Sequence, residues 1–402
     1  MGEFGLAIGL LSLLIWAGLL AGWGQFWRCD QRLETEDPVS SPSPERFPAI
    51  CAVIPARNEA DMLPLSLPSL LQQDYPGELR IVLVDDQSSD GTGAIAQQLA
   101  AQSGNADRLT VLSAEPLPAG WSGKLWAMEQ GIRKAESYAP DYVLLTDADI
   151  YHDPANLRRL VARVLDHNLE MASVMVRLRC DSFWETLLIP AFVFFFQQLY
   201  PFPWVNNPRR KMAAAAGGCI LIRRTTLERI GGMEPIRQTL IDDCGLAQIV
   251  KLGVEPQSQA GPSGEYGRIW LGLSDRTRSL RPYDSLKTIW DMVARTAFTQ
   301  LNYSPLLLLG TIVGMVLVYL VSPIALGAGL LSGLWGVALV GGLGWLLMTI
   351  AYWPTVRFYR CSPIYALCLP VIGLLYTLMT IDSALRHWRG QGGAWKGRVY
   401  PA

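Results

Sequence analysis

The apolar positions of this 402-residue chain fall into two kinds of run. Long uncharged stretches lie toward both ends, and short Val- and Ile-rich runs alternate with polar segments between them. Phe4 to Trp27 carries no charge. At about 1.5 Å per residue, a helix of that length crosses a bilayer. The only early charge is Glu3, whereas Arg28 and Arg32 follow the run. A cleaved signal peptide carries positive charge ahead of its apolar stretch. The pattern here predicts an uncleaved anchor over 4–27, with the following chain in the cytoplasm. A polar linker over 28–47 comes next, with Pro38, Pro42 and Pro44.

Thr296 to Val356 is again uncharged and is long enough for two spans. Either Ser322-Pro323 or the Gly-rich stretch near Ser332 marks the turn. Cys361 to Ile381 is a further uncharged stretch, flanked by Arg357 and Arg360 before it and Arg386 and Arg389 after it. Two basic flanks conflict with a simple crossing. Either the tail lies outside, or, as the preferred expectation, Pro363 and Pro370 mark a re-entrant or interfacial piece. The carboxy-terminal apolar region is therefore 296–381, with two to three segments, and 382–402 is a basic tail. A multi-pass protein of the cell's inner or plasma membrane is expected.

The block over 48–295 holds most of the charge. Ile50 to Pro55, Arg80 to Val84 and Tyr142 to Leu145 are short apolar runs, each ending in polar residues and followed by a helix-like stretch. Such alternation predicts an α/β fold with a mostly parallel, Rossmann-like sheet. Ligands of these sheets bind beyond the carboxyl ends of the strands. One segment stands apart. Over 183–208 the chain is aromatic and nearly uncharged, with Pro190, Pro201 and Pro203. It reads as an interfacial helix, or alternatively as buried core.

Composition narrows the function classes. The chain is 50% hydrophobic and 17% charged, with a net charge of −1. It is too apolar for disorder and too neutral for a general nucleic-acid binder. Seven cysteines without a CxxC and three histidines without an HExxH predict reduced, buried thiols and no zinc site.

The strand ends carry the candidate chemistry. They read Pro55-Ala-Arg-Asn-Glu59, Asp85-Asp-Gln-Ser-Ser-Asp-Gly-Thr92 and Thr146-Asp-Ala-Asp149. Two carboxylates one residue apart at a buried strand end can share Mg²⁺ or Mn²⁺ and bridge it to phosphates. Asp90-Gly91-Thr92 alone is equally a turn and helix cap. Together with Gly123-Lys124, Gly217-Gly218 and Asp242-Asp243, the order and spacing resemble the inverting glycosyltransferases of family 2, over about residues 48 to 255.

That resemblance implies a GT-A catalytic domain with transmembrane helices at both ends of the chain. It implies a nucleotide-diphospho-sugar donor, with Asp86 on the nucleobase and Pro55, Arg57 and Glu59 on the pocket floor. Lys124 would lie near the nucleotide. Asp147 and Asp149 would bind the metal, Asp149 more directly. Asp243 matches the general base that deprotonates the acceptor, and Asp242 its acidic neighbour. Gly217, Gly218, Asp242 and Arg295 are candidates for the acceptor or diphosphate. The family's usual acidic pair is Glu-Asp, so Asp242 is a mild departure. The Gln/Arg-x-x-Arg-Trp motif of membrane-bound relatives is missing around Arg295, which argues against a processive synthase of the cellulose or hyaluronan type. Asp242-Asp243 also reads as a helix N-cap, and Arg295 as a membrane-surface arginine.

The layout resembles ceramide glucosyltransferases. Asp291-to-Leu301, Ile381-to-Trp388 and Gly393-to-Arg398 resemble bacterial hopanoid-associated glycosyltransferases more closely. The resemblance implies a lipid acceptor, hopanoid, isoprenoid or sphingolipid-like, met at the bilayer. Two alternatives remain: transfer to a polyprenyl phosphate, and a non-catalytic sugar-nucleotide-binding membrane scaffold.

Overall fold

The computed structural model describes residues 2–35, 46–254 and 266–390, with the backbone of two short strands at Ala394–Trp395 and Arg398–Val399. The linker prolines 38, 42 and 44 and the side chains of the basic tail beyond residue 390 lie outside the described residues.

The Val- and Ile-rich runs are strands: β1 (Ile50–Ala56), β2 (Leu79–Asp85), β3 (Leu109–Ser113), β4 (Tyr142–Thr146), β5 (Ile150–Tyr151), β6 (Met171–Arg177), β7 (Cys219–Arg223) and β8 (Ile269–Ser279). They form one sheet in the order β3-β2-β1-β4-β7-β6-β8-β5. Only β7 and β5 run against the others. Their side chains alternate between two buried faces. Cys51, Val53, Val82, Val84, Val143 and Leu145 point one way, and Ile50, Ala52, Ile54, Ile81, Leu83 and Leu144 the other. Burial on both faces is why these strands read as continuous apolar runs.

The second face is covered by helices Leu63–Leu71, Thr92–Gln102 and Asn156–Asp166. The first packs on helix Gly123–Glu136 and on the aromatic segment. That segment is one helix, Phe183–Leu199, opened by a capping box between Ser182 and Glu185 and followed by a short turn at Phe202–Val205. Leu188, Ile189, Val193 and Phe194 are fully buried, whereas Phe183 and Leu199 at its two ends stay exposed. The same core continues without a break to Tyr319, Met348, Tyr352 and Tyr376 of the apolar helices. The boundary near residue 295 is therefore a change of surroundings rather than a gap in packing.

Among the described residues, four apolar helical segments are long enough to cross a bilayer: Gly2–Gly22, Pro305–Leu331, Trp335–Phe358 and Pro363–Trp388. The first is shorter than the expected 4–27, because the chain turns at Gly24, whose φ is +58°. The turn between the second and third is at Ser332-Gly333, not at Ser322-Pro323. Pro323 lies inside a helix, just after a π-helical turn at Val316–Leu320. Proline has no N–H to give the preceding turn, so the ladder loosens there. The Val318 carbonyl in that turn accepts the Trp16 indole N–H at 2.7 Å.

The fourth segment does not run end to end. Cys361, at its start, lies 3.6 Å from Cys180 of the sheet block. The Leu367 carbonyl accepts from Trp345, midway along its helix, and Gly373 faces Tyr319, midway along another. At its close, Arg386 pairs with Asp291 at 2.8 Å, back at the sheet block. The chain thus climbs to the middle of the bundle and returns to the same side.

Glycine sets how closely the second and third segments approach. A Cβ added at Gly341 would run into the Leu326 nitrogen and the Ser322 carbonyl. Backbone contact of this kind needs a small residue. Gly341→Leu is expected to lower the thermal midpoint in detergent, by about 1–3 kcal/mol of stability. A midpoint equal to wild type would contradict this packing.

Candidate active site

Strands β1, β2 and β4 end side by side. The chain leaves β1 toward β2 and β3 on one side, then returns to β4 on the other. This switch point opens a crevice at the strand ends. Two residues there, Asn58 and Gln87, adopt positive φ of 50° and 54°. Such backbone is uncommon outside glycine and clusters at functional loops. The loops are tied together. Ser88 Oγ accepts the Asn58 N–H at 3.0 Å, and Asp90 accepts the N–H groups of Ala60 and Thr92 at 3.0 Å each. Asp90 therefore fastens the β1 loop to the start of the following helix, whose N-cap is Gly91.

On this side of the crevice, Pro55 is the penultimate residue of β1 and is buried. Arg57 Nη1 donates to the Asp86 carbonyl at 2.6 Å and lies 3.4 Å from its carboxylate. Glu59 is buried and pairs with Arg281, whose Nη2 is 2.8 Å from Glu59 Oε1. The Arg281 Nε lies 3.0 Å from Asp149 Oδ2, and Ser279 Oγ donates to the same oxygen at 3.1 Å. Arg281 joins the end of β1 to the aspartate motif after β4.

Across the crevice, Ser122 caps the helix Gly123–Glu136 by accepting from the Leu125 N–H. That cap points the first turn into the site and carries Lys124 with it. The Lys124 Nζ is 3.1 Å from Asp147 Oδ1 and 3.1 Å from Asp242 Oδ2. Asp242 and Asp243 open the helix Asp242–Leu252, where the dipole favours negative charge. The N-cap is Ile241, so the acidic pair does not serve as the cap. Asp243 Oδ2 accepts the Gly217 N–H at 2.9 Å, and its Oδ1 accepts the Cys244 N–H at 2.7 Å. A Cβ on Gly217 would stand 3.5 Å from both Asp243 Oδ2 and Lys124 Nζ, and one on Gly218 would press on Val176 and Ile150. Only the Gly218 contacts are tight, and they are with the sheet core rather than the acids.

The charges shift one another. Burial pushes the Asp243 carboxyl up to about 6, helped by Asp242 and opposed by Lys124 and the two backbone N–H groups. Burial also raises Asp147; Lys124 opposes the shift, and Asp149 and Asp242 add to it. For Lys124, burial favours the neutral amine. Asp147, Asp242 and Asp243 override it and hold the ammonium well above its usual range.

No cluster of three or more His, Cys, Asp or Glu side chains forms a metal cage among the described residues. Mg²⁺ and Mn²⁺ do not need one. They bind through one or two carboxylates together with substrate phosphates and water. Asp147 and Asp149 offer that donor set, and each already faces a cation, Lys124 or Arg281. The residues fit a hard divalent ion.

The structure thus gathers Asp147, Asp149, Lys124, Asp242, Asp243 and Gly217 into one cluster, with Pro55, Arg57, Glu59 and Asp86 along its edge. Arg295 is exposed and makes no ion pair among the described residues. The sequence reasoning missed Arg281 and Ser279. Ser279 ends β8 and Arg281 comes two residues later, and only the sheet order brings that end beside β4's loop. It also missed Tyr200, whose hydroxyl donates to Gln300 Oε1 at 3.0 Å and which feels the Asp243 charge.

Residues 51–231, a little under half of the chain, match the family model described as Glycosyl transferase family 2. The chain is 26% identical over 215 residues to "Probable glycosyltransferase YdaM" of Bacillus subtilis, covering 52% of this chain and 47% of that protein. It is 32% identical over 125 residues to the undecaprenyl-phosphate mannosyltransferase of Micrococcus luteus, covering 31% and 47%. The chain spans about half the length of these curated relatives. Among solved structures it is similar to the mannosyltransferase PcManGT from Pyrobaculum calidifontis in complex with GDP-Man and Mn²⁺. The TM-score is 0.53 at 18% identity, covering 94% of this chain and 99% of that one. The sheet block has the mostly parallel GT-A fold, and over residues 51–231 it is similar to glycosyl transferase family 2.

The raised Asp243 has a stability consequence. Its folded pKa lies above the unfolded value, so its favourable contribution is complete at low pH and is lost as pH rises through about 6. Asp243→Asn does not titrate. The variant is expected to melt above wild type at pH 8, and the gain should shrink as pH falls toward about 4. Thermal scans across that range check it. A variant less stable at pH 8 would contradict the assignment.

Proposed function

We propose that this chain is a membrane-embedded inverting glycosyltransferase. It moves a sugar from a nucleotide-diphospho-sugar onto the hydroxyl of a lipid acceptor. One observation carries the reading: the aspartate motif after β4 and the acidic pair opening the helix Asp242–Leu252 share the Lys124 ammonium, at 3.1 Å on each side. Donor-binding and base groups therefore face one crevice. The family match and the mannosyltransferase relatives support the same chemistry.

The roles follow from position. Arg57, Glu59 and Asp86, with Pro55 beneath, receive the nucleoside at the ends of β1 and β2. Asp147 and Asp149 would hold Mg²⁺ or Mn²⁺. When bound, that ion supplies charge to stabilise the departing diphosphate. Lys124 adds a second positive charge on the same side. Asp243 takes the acceptor's proton as its oxygen bonds to the sugar, on the face opposite the leaving group. A carboxylate raised to about 6 is a better base than an ordinary one, yet it is mostly ionised at neutral pH.

The bilayer explains the rest of the architecture. The helices carry exposed apolar side chains such as Phe4, Leu306 and Leu331. The last segment enters and leaves from the block's side, as a re-entrant piece does, so its basic flanks lie together. Because positive flanks favour the cytoplasmic side, that arrangement supports a cytoplasmic catalytic block. A lipid hydroxyl lies at the headgroup plane, where the block meets the helices. The resemblance to hopanoid-associated enzymes suggests a polycyclic or isoprenoid lipid. The undecaprenyl-phosphate relative favours a second reading, a polyprenyl phosphate acceptor, which needs no base.

Purified full-length protein, incubated with UDP- and GDP-sugars, Mn²⁺ and native membrane lipids, is expected to yield a glycolipid by mass spectrometry. Asp149→Asn should reduce turnover by about a hundredfold or more without loss of folding. Asp243→Asn should abolish transfer to hydroxyl lipids. A variant that retains full transfer would instead mark a phosphate acceptor. For wild type, kcat/KM should rise with pH through about 6 and then level, since the base must be ionised. No glycolipid from any donor would contradict the proposal.

A further inference from the structure

We infer that Arg281 is the residue that grips the donor's diphosphate, and that in the ligand-free protein it is held on the two carboxylates that donor and metal later use. This inference deepens the proposed transfer and rests on it. One planar guanidinium spans two acids from different strand ends. Its Nη2 is 2.8 Å from Glu59 Oε1 and its Nε is 3.0 Å from Asp149 Oδ2. The two acids are walled in, with side chains 8% and 9% exposed, whereas the Arg281 side chain is 32% exposed. The cation is the member of the trio that faces the crevice. A guanidinium has five N–H donors in a fork, and two of its nitrogens are engaged here. The fork matches a phosphate as well as a carboxylate.

The rest of the chain leaves this role open. Arg295 is exposed and makes no ion pair among the described residues. Lys124 bridges Asp147 to Asp242, across the crevice from Glu59. Arg281 is held instead on Glu59 and Asp149, the acids proposed for donor and metal, so ligands at those acids free it to exchange partners. An Asp149 oxygen bonded to Arg281 is a poorer ligand for a divalent ion. Metal binding to Asp149 therefore favours release of the guanidinium, and a diphosphate beside the metal gives it a new anion. The coupling is reciprocal: nucleotide tightens metal binding, and metal tightens nucleotide binding. In the absence of nucleotide, Arg281 keeps the acids neutralised and the metal weakly held.

The test measures binding rather than turnover. Mn²⁺ binding to the full-length protein in detergent is read by electron paramagnetic resonance, alone and with GDP or UDP. Arg281→Gln is expected to bind Mn²⁺ alone severalfold more tightly than wild type. It should bind Mn²⁺ with nucleoside diphosphate about tenfold more weakly, the loss of one charge-assisted contact. Arg281→Lys should fall between, and it carries the test where circular dichroism shows the Gln variant unfolded. Opposite signs in one variant distinguish this role from mere support, which would move both affinities together. Unchanged or weaker Mn²⁺ binding without nucleotide, or undiminished nucleotide binding, would overturn the inference. Wild type that binds neither GDP nor UDP would overturn the transfer reading itself.

Discussion

Four carboxylates in one half-buried crevice repel one another, and the Lys124 ammonium is what makes the arrangement tenable. It lies between Asp147 and Asp242 at equal distance, and its charge also acts on Asp243. Arg281 does the same for Asp149 and Glu59. An uncompensated buried charge is costly, so each acid here depends on a cation from another part of the chain. The helix starting at Gly123, the end of β4, the Gly217-Gly218 approach and the helix starting at Asp242 are all positioned by that requirement. The same compensation readies the site for ligands, because cations held on carboxylates are available for phosphates.

Much of this was legible in the sequence. The short apolar runs specified strands because both faces of the sheet are buried, and their polar ends were the crevice because parallel strands end together. The pairs Asp147-Asp149 and Asp242-Asp243 stood out by local spacing. Arg281 did not, since it is 132 residues from Asp149 and only the order of strands joins them. The length of the aromatic helix was also blurred by Pro190, which sits inside it with its flanks buried against neighbouring segments. The turn in the carboxy-terminal hairpin was ambiguous because two breakers competed. Gly333 won, with φ of +68°, while Pro323 was absorbed by a π-helical turn. Positive-φ backbone suits glycine, whereas a helix can carry a proline when another group takes up the freed carbonyl.

In the proposed transfer, the join between block and helices bears on how a lipid acceptor would meet the charged site. The aromatic helix Phe183–Leu199 packs on the sheet's face and on the apolar helices at once, and Tyr376 donates to its Leu188 carbonyl at 2.9 Å. The helix Leu286–Ala294 is held to the last apolar helix by Asp291 with Arg386 and by the Trp290 indole on Asp382 at 2.7 Å. Tyr200 and Gln300 stand at this join, close to Asp243. The polar groups of the crevice and the exposed apolar surface of the helices are thus parts of one packed unit.

The central claim is that carboxylates from distant segments share one cation. Thermal unfolding of Lys124→Met, with and without Mn²⁺, tests it most directly. The account predicts a lower midpoint than wild type in metal-free buffer, and recovery of much of that loss when Mn²⁺ is added, since a divalent ion can take the ammonium's place. A variant as stable as wild type, with a midpoint indifferent to Mn²⁺, would show that the acids do not converge.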